Sequence, residues 1–167
     1  MITDSMERQA EQAGIRLEFI NGIPVWEASP VIRHQRIVDR IRGSIAGGGY
    51  VNGGNGSGCA CVHYADIYIK FPDGSLKRPD ISLFCSEPPE EDSICETIPH
   101  VVIEVLSKGY EKKDIDVSLP FYLVQGIPDI VLFDPIANRV SHYREGVATH
   151  HDSPISLTFA CGCTATV

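Results

Sequence analysis

The chain lacks any apolar run approaching the ~18 residues a membrane span needs. Its opening residues, Met1-Ile2-Thr3-Asp4-Ser5-Met6-Glu7-Arg8, are too polar for a secretory leader. No membrane partner is expected, and the cytoplasm is the expected setting. Positive charge is scarce as well. Fourteen Lys and Arg against 22 Asp and Glu leave a formal net charge of −8. That excludes a broad basic footprint for nucleic acid, whose affinity comes largely from neutralised phosphates. It leaves room for a local basic patch, or for a site in which metal ions supply the positive charge. Internal repeats and low-complexity linkers are missing too. The 167 residues are expected to form a single domain, 1–167, long enough to bury a substantial core.

Cysteine is present, six times, and includes two C-x-C pairs, Cys59/Cys61 and Cys161/Cys163. Structural zinc more often uses the wider C-x2-4-C spacing. On a strand, C-x-C places both thiols on one face, as small core residues. A cysteine-based zinc protein stays as an alternative, and disulfides are not expected without a leader.

Local signals order the chain as hairpin, helix, strands, helix, strands. Asp4 to Ala13 can form a first helix capped by Asp4 or Ser5. Asn21-Gly22 between two apolar runs is a strong hairpin signal. Ser29-Pro30 is expected to start a helix whose apolar side carries Val31, His34, Ile37, Val38, Ile41 and Ile45. Gly47 to Gly58 is glycine-rich and reads as a surface loop, since a strand rather than a helix follows it. That strand is expected over Cys59 to Phe71, and the turn Pro72-Asp73-Gly74 leads to another opening at Arg78. Glu87 to Ser93 reads as a solvated acidic loop. Val101 to Leu106 has the near-continuous apolar character of a strand covered on both faces. A helix over Asp114 to Gln125, stopped by Gly126, precedes a strand at Ile130 to Phe133. A last hairpin surrounds Arg144-Glu145-Gly146. This order predicts an α/β domain with a central mixed sheet.

Two carboxylates stand out against these runs. Asp80 follows Arg78-Pro79 at the head of an apolar strand, and Glu104 lies inside Val101 to Leu106. A buried carboxylate is costly unless paired, hydrogen-bonded or bound to a metal. The interval between them accommodates a strand, a loop and a return strand, so the two can share one divalent cation. The bland readings are that Asp80 caps a turn or pairs with Arg78 or Lys77, that His34 is a core histidine, that Glu18 is solvated and that Tyr122 packs the core. His150-His151 has no ligand pattern and is expected to be exposed.

From Leu17 to Tyr143 the chain resembles the PD-(D/E)XK restriction-endonuclease-like superfamily, and within it the restriction-endonuclease family called Uma-two. The ordered markers are Leu17-Glu18-Phe19-Ile20-Asn21-Gly22, Ser29-Pro30 with His34, Arg78-Pro79-Asp80, Glu104-Val105-Leu106-Ser107, Leu119-Pro120-Phe121-Tyr122, Gly126-Ile127-Pro128-Asp129 and Asp134-Pro135. The resemblance implies a restriction-endonuclease-like fold, a central mixed β-sheet flanked by helices, with an N-terminal β-hairpin. It implies that Asp80 and Glu104 hold Mg²⁺ or Mn²⁺ together with the carbonyl of Val105. Glu18 and His34 would then lie beside the metal as members of the catalytic set. The implied activity is metal-dependent endonuclease hydrolysis of nucleic-acid phosphodiesters, DNA first, in a chain that can act as a homodimer. One feature departs from the pattern. The superfamily lysine two residues after the acid is Leu106 here, and the helix position to which it migrates in Uma-two members is Ser118. Lys108, Lys112 and Lys113 are the nearby substitutes. The family's tryptophan after Gly-Val-Pro is replaced by Val131. The alternative reading is a catalytically weakened nuclease-fold module kept for binding or assembly.

Overall fold

Asn21 and Gly22 both adopt left-handed φ angles, 51° and 77°. Two such residues in a two-residue loop match the twist of the strands they join. In the computed structural model, which describes residues 2–47, 62–90 and 94–167, this turn joins β1 (Ile15–Ile20) to β2 (Ile23–Ala28). A helix α1 (Ile2–Gln12) precedes the hairpin. Next comes α2 (Ile32–Ser44), which buries His34, Val38 and Ile41. It begins later than Ser29-Pro30 suggested. The Ser29 amide is committed to the Gly14 carbonyl at the end of the hairpin, and Val31 is extended and stands uncapped before the first turn.

The loop expected over Gly47 to Gly58 lies almost wholly outside the described residues, as do Cys59 and Cys61. The strand expected over Cys59 to Phe71 is two short ones, β3 (Val62–Ala65) and β4 (Ile69–Lys70). Asp66 breaks it with a φ of 58°, its amide directed at the carbonyls of Pro79 and Asp80. Similarly, no strand opens at Arg78. β5 (Leu76–Lys77) ends there, and β6 (Ile81–Phe84) starts after Pro79, which has no N–H to give a ladder. β7 (Val101–Val105) is buried at every position, as its apolar run predicts.

The third expected helix is present in three pieces: α3 (Glu111–Lys113), a π-helical turn (Asp114–Ser118) and α4 (Leu119–Val124). Gly126, at φ 74°, stops it. β8 (Asp129–Asp134), β9 (Arg139–Arg144) and β10 (Val147–Asp152) follow in order. A terminal hairpin of β11 (Ser156–Thr158) and β12 (Thr164–Thr166) was not foreseen, since its strands are only three residues each.

One sheet has the order β2-β1-β5-β4 and the central one β10-β9-β8-β7-β6-β3. Within the central sheet β7 and β8 are parallel, linked by the α3–α4 crossover, and the other pairs are antiparallel. Helix α2 and the terminal hairpin cover one face, around Ile81, Ile103 and Val131. Helix α4 covers the other, where Tyr122, Phe84 and Val102 meet. No helix among the described residues is long and apolar enough to cross a membrane. Cys163 is buried and disulfide-bonded, contrary to the expectation of reduced thiols.

Asp129 fastens the far side of the sheet. Its carboxylate accepts hydrogen bonds from His142 Nε2 (2.7 Å), Arg144 Nε (2.7 Å) and the Ala160 amide (2.8 Å). Burial alone would raise its pKa, but these donors hold it below the usual range. Asp129→Ala strands all three donors and is expected to cost about 3 kcal/mol, read as a lower urea midpoint at pH 7. The loss should shrink as pH falls through the carboxylate range, because the native ion pair is then absent from the wild type too.

Candidate functional site

The register of β6 against β7 pairs Ile81 with Ile103. One step further along this antiparallel ladder sets Asp80 opposite Glu104. Two bonds lock them: the Asp80 amide donates to Glu104 Oε2 (3.1 Å), and the Val105 amide donates to Asp80 Oδ2 (2.8 Å). Both carboxyl groups are withdrawn from solvent, with Asp80 5% and Glu104 3% exposed.

Asp80 is neutralised from two elements. From β1, Arg16 Nη1 donates to Asp80 Oδ1 (2.9 Å), while Nη2 reaches the Arg78 carbonyl and Asp66 Oδ1 (3.3 Å). From α2, His34 Nε2 lies 3.1 Å from Asp80 Oδ2 and 2.9 Å from the Val105 carbonyl. Facing two acceptors, Nε2 must carry the proton. Burial opposes ionisation of Asp80, yet Arg16, His34 and the Val105 amide outweigh it and hold the pKa at about 2. Burial likewise opposes the charged form of His34, and Asp80 reverses this to a raised pKa.

Glu104 behaves oppositely. Burial, then the charge of Asp80 and that of Asp114, push it up to about 8, only partly offset by Lys113 and Lys77. Near neutral pH the pair therefore holds one charge on Asp80 and one proton on Glu104. Tyr122 donates its hydroxyl to Glu104 Oε1 (2.7 Å), and its own pKa is driven well above the ordinary value by burial and by Glu104.

A second cluster abuts the first. The β1–β5 register pairs Phe19 with Leu76, which sets Glu18 opposite Lys77. Lys77, fully buried, donates to Glu18 Oε2 (2.5 Å) and to Ser118 Oγ (3.0 Å), and its ammonium lies 5.4 Å from the centre of the Tyr122 ring. Lys113 approaches Glu18 Oε2 (3.4 Å) and Asp114 Oδ1 (3.1 Å). The Arg78 amide completes Glu18 at Oε1 (2.7 Å). Burial would raise Glu18, but the charges of Lys77, Lys113 and Arg16 hold it far below the usual carboxylate range.

Asp80, Glu104, Val105 and His34 are thus brought together in direct contact. Glu18 stands apart, bonded to cations instead. Leu106 is in the core, Lys108 and Lys112 are exposed, and Lys113 alone of the three proposed lysines turns toward the site. Ser118 is the informative departure. An ammonium does reach this position, that of Lys77 from β5, which donates a hydrogen bond to the serine itself. Sequence reasoning missed Lys77, Arg16 and the hydroxyl of Tyr122. A signal for Arg16 was available, because strand alternation puts Arg16 and Glu18 on the same face of β1.

Among the described residues, no group of three His, Cys, Asp or Glu side chains is placed to hold a metal. The candidate donors are two carboxylates and one main-chain carbonyl. All are hard oxygens, and Mg²⁺ commonly takes only one or two carboxylates with water completing its shell. The Nε2–H of His34, spanning Asp80 Oδ2 and the Val105 carbonyl, shows that two of these oxygens already converge on one donor. The donor set therefore fits a hard divalent cation.

A family model described as "Uma2: Putative restriction endonuclease" matches residues 3–161. Among solved structures, the chain is similar to "a putative nuclease belonging to DUF820" from Anabaena variabilis ATCC 29413. The two align with a TM-score of 0.60 and 23% identity, over 83% of this chain and 77% of that one. At that identity the likeness carries the fold, and the expected mixed sheet with its N-terminal hairpin is found. No curated protein matches.

Two outcomes follow from the geometry. Placing a lysine at Ser118 sets two ammonium groups against each other in a dry site. Ser118→Lys is expected to destabilise the fold by about 3 kcal/mol, and the double variant Lys77→Met/Ser118→Lys to recover part of that, as a double-mutant cycle in urea would show. The raised pKa of Glu104 means that its proton favours folding. Its contribution is complete below the unfolded value near 4.5 and is lost as pH rises through about 8. Glu104→Gln should flatten that decline in stability between pH 5 and pH 9 by an amount on the order of a few kcal/mol.

Proposed function

The chain belongs to the Uma2 family, and on that premise we propose that it is a divalent-metal-dependent endonuclease acting on nucleic-acid phosphodiesters, with DNA as the first substrate to test. The observation that carries this reading is the register-matched pair Asp80 and Glu104, buried side by side with the Val105 carbonyl at its edge. Structural ion pairs also bury carboxylates, but they match each acid with a cation. Here Glu104 is given a tyrosine hydroxyl and an amide and is left close to a second acid. A position that raises a carboxyl to about 8 is costly for stability and suited to a group that exchanges its proton for a metal.

Asp80, Glu104 and the carbonyl of Val105 would hold Mg²⁺ or Mn²⁺. Bound there, the cation supplies charge that polarises a phosphoryl oxygen and lowers the pKa of water. The protein's own groups prepare the place. Arg16 keeps Asp80 ionised and fixes its orientation through Oδ1. His34 aligns Oδ2 with the Val105 carbonyl. Tyr122 orients Glu104 and holds its own proton across the neutral range. Lys77, ion-paired with Glu18 and set against the Tyr122 ring, brings a positive charge beside the side chain that orients Glu104, where anionic character in the reacting phosphate needs offsetting.

The withdrawal of both carboxyl groups from solvent favours the second reading, a weakened nuclease-fold module that binds without cutting. A plasmid-nicking assay with Mg²⁺ and Mn²⁺ separates the two. Wild type is expected to nick, with Asp80→Ala and Glu104→Ala each slower by at least ~10²; equal rates for all three would remove the catalytic assignment. Titration of Mn²⁺ at pH 7 in buffers of differing ionisation heat should show release of nearly one proton by wild type and almost none by Glu104→Gln.

A further inference from the structure

Helix α2 has two unlike faces. The inner one presents His34, Val38 and Ile41 to the core, with His34 touching Asp80. The outer one carries Arg33, Arg36 and Arg40, all exposed, at i, i+3 and i+7. Together with Ile37 these arginines line an open groove of about 310 Å³. In a chain of net charge −8, this 13-residue helix holds four arginines and one aspartate.

Nothing inside the fold accounts for that concentration. Arg33, Arg36 and Arg40 take part in none of the ion pairs formed among the described residues, where Arg16, Arg78 and Arg144 meet carboxylates. No acidic residue occupies the first turn of α2, and Arg33 lies there instead. Positive charge at a helix N-terminus opposes the helix dipole. Arg33 is therefore carried against the electrostatics of its own helix.

We propose that the outer face of α2 binds the phosphate backbone of a nucleic acid. Arginine suits this task, because its planar fork bonds phosphate oxygens in pairs and stays charged at every relevant pH. From Arg33 to Arg40 the helix rises about 10 Å, the length over which one nucleic-acid strand places about three phosphates. The row also lies about one helix diameter, roughly 10 Å, from the His34 face that contacts Asp80. The Asp80 carboxylate repels a polyanion, and the three cations on α2 offset that repulsion. That this strand is the one the carboxyl pair acts on rests on the function proposed above; the binding itself does not.

The test is fluorescence anisotropy of a labelled 20-base-pair duplex and of its single strand, without divalent metal, over a series of salt concentrations. The proteins are wild type, the triple variant Arg33→Gln/Arg36→Gln/Arg40→Gln, and a control, Lys70→Gln/Arg139→Gln, placed elsewhere on the surface. Loss of three phosphate contacts lowers the salt slope of log K by about 2–3 and weakens binding on the order of 10²-fold at ~0.1 M salt. The control should bind as wild type does, and thermal melts should confirm that all three proteins are folded. A triple variant with the wild-type slope, a control as weak as the triple variant, or a wild type that binds anionic lipid vesicles but neither nucleic acid would each overturn the proposal. A wild type that binds through the arginines yet never nicks overturns the endonuclease reading alone.

Discussion

Ionising two neighbouring carboxyl groups away from water is prohibitively expensive, and much of this fold is arranged around avoiding it. Asp80 and Glu104 are forced together by the ladder between β6 and β7. Arg16 and His34 pin the charge on Asp80, and Tyr122 and a main-chain amide accommodate Glu104 with its proton. Each of those partners comes from a different element: β1, α2 and α4. The packing of the N-terminal hairpin, of α2 and of the crossover helix onto the central sheet is therefore coupled to the electrostatics of one pair of acids. The same principle explains Glu18, whose burial is tolerable because Lys77 and Lys113 approach one oxygen and an amide the other.

Much of this was legible in the residues. The Asn21-Gly22 hairpin, the doubly covered β7 and the crossover helix were each announced by local chemistry, as was the pairing of Asp80 with Glu104. Ser29-Pro30 misled because the hairpin runs on through it: the Ser29 amide still bonds the carbonyl of Gly14, so the helix starts only after Val31. The broken strands around Asp66 and Pro79 were invisible to a reading of apolar runs. Their breaks exist to bring Asp66 to Arg16 and Arg78, which are distant in sequence. The terminal hairpin is too short to leave a periodic signal.

The site was half legible for the same reason. Acids inside apolar runs advertise themselves, whereas the bases that match them are ordinary residues of other strands. Lys77 follows a turn and precedes Arg78, so it reads as a solvated strand end; only the alignment of β1 with β5 reveals it as buried. Ser118 read as the loss of a positive charge, but in three dimensions it accepts a hydrogen bond from one. A positive charge can reach a position from another strand, and a motif written along one segment does not register it.

The π-helical turn at Asp114–Ser118 has a consequence for how this chain can vary by insertion and deletion. A π turn is the place where a helix takes up one extra residue; Asp114 and Ser118 are buried within this one and Tyr122 just beyond it. Deleting one residue there lets the turn close as ordinary α-helix, with the tyrosine hydroxyl still directed at Glu104. Adding one meets no such slack and swings everything beyond it by about 100°, carrying that hydroxyl away. The stretch from Glu111 to Val124 therefore tolerates shortening by one residue at its wide turn, but not lengthening.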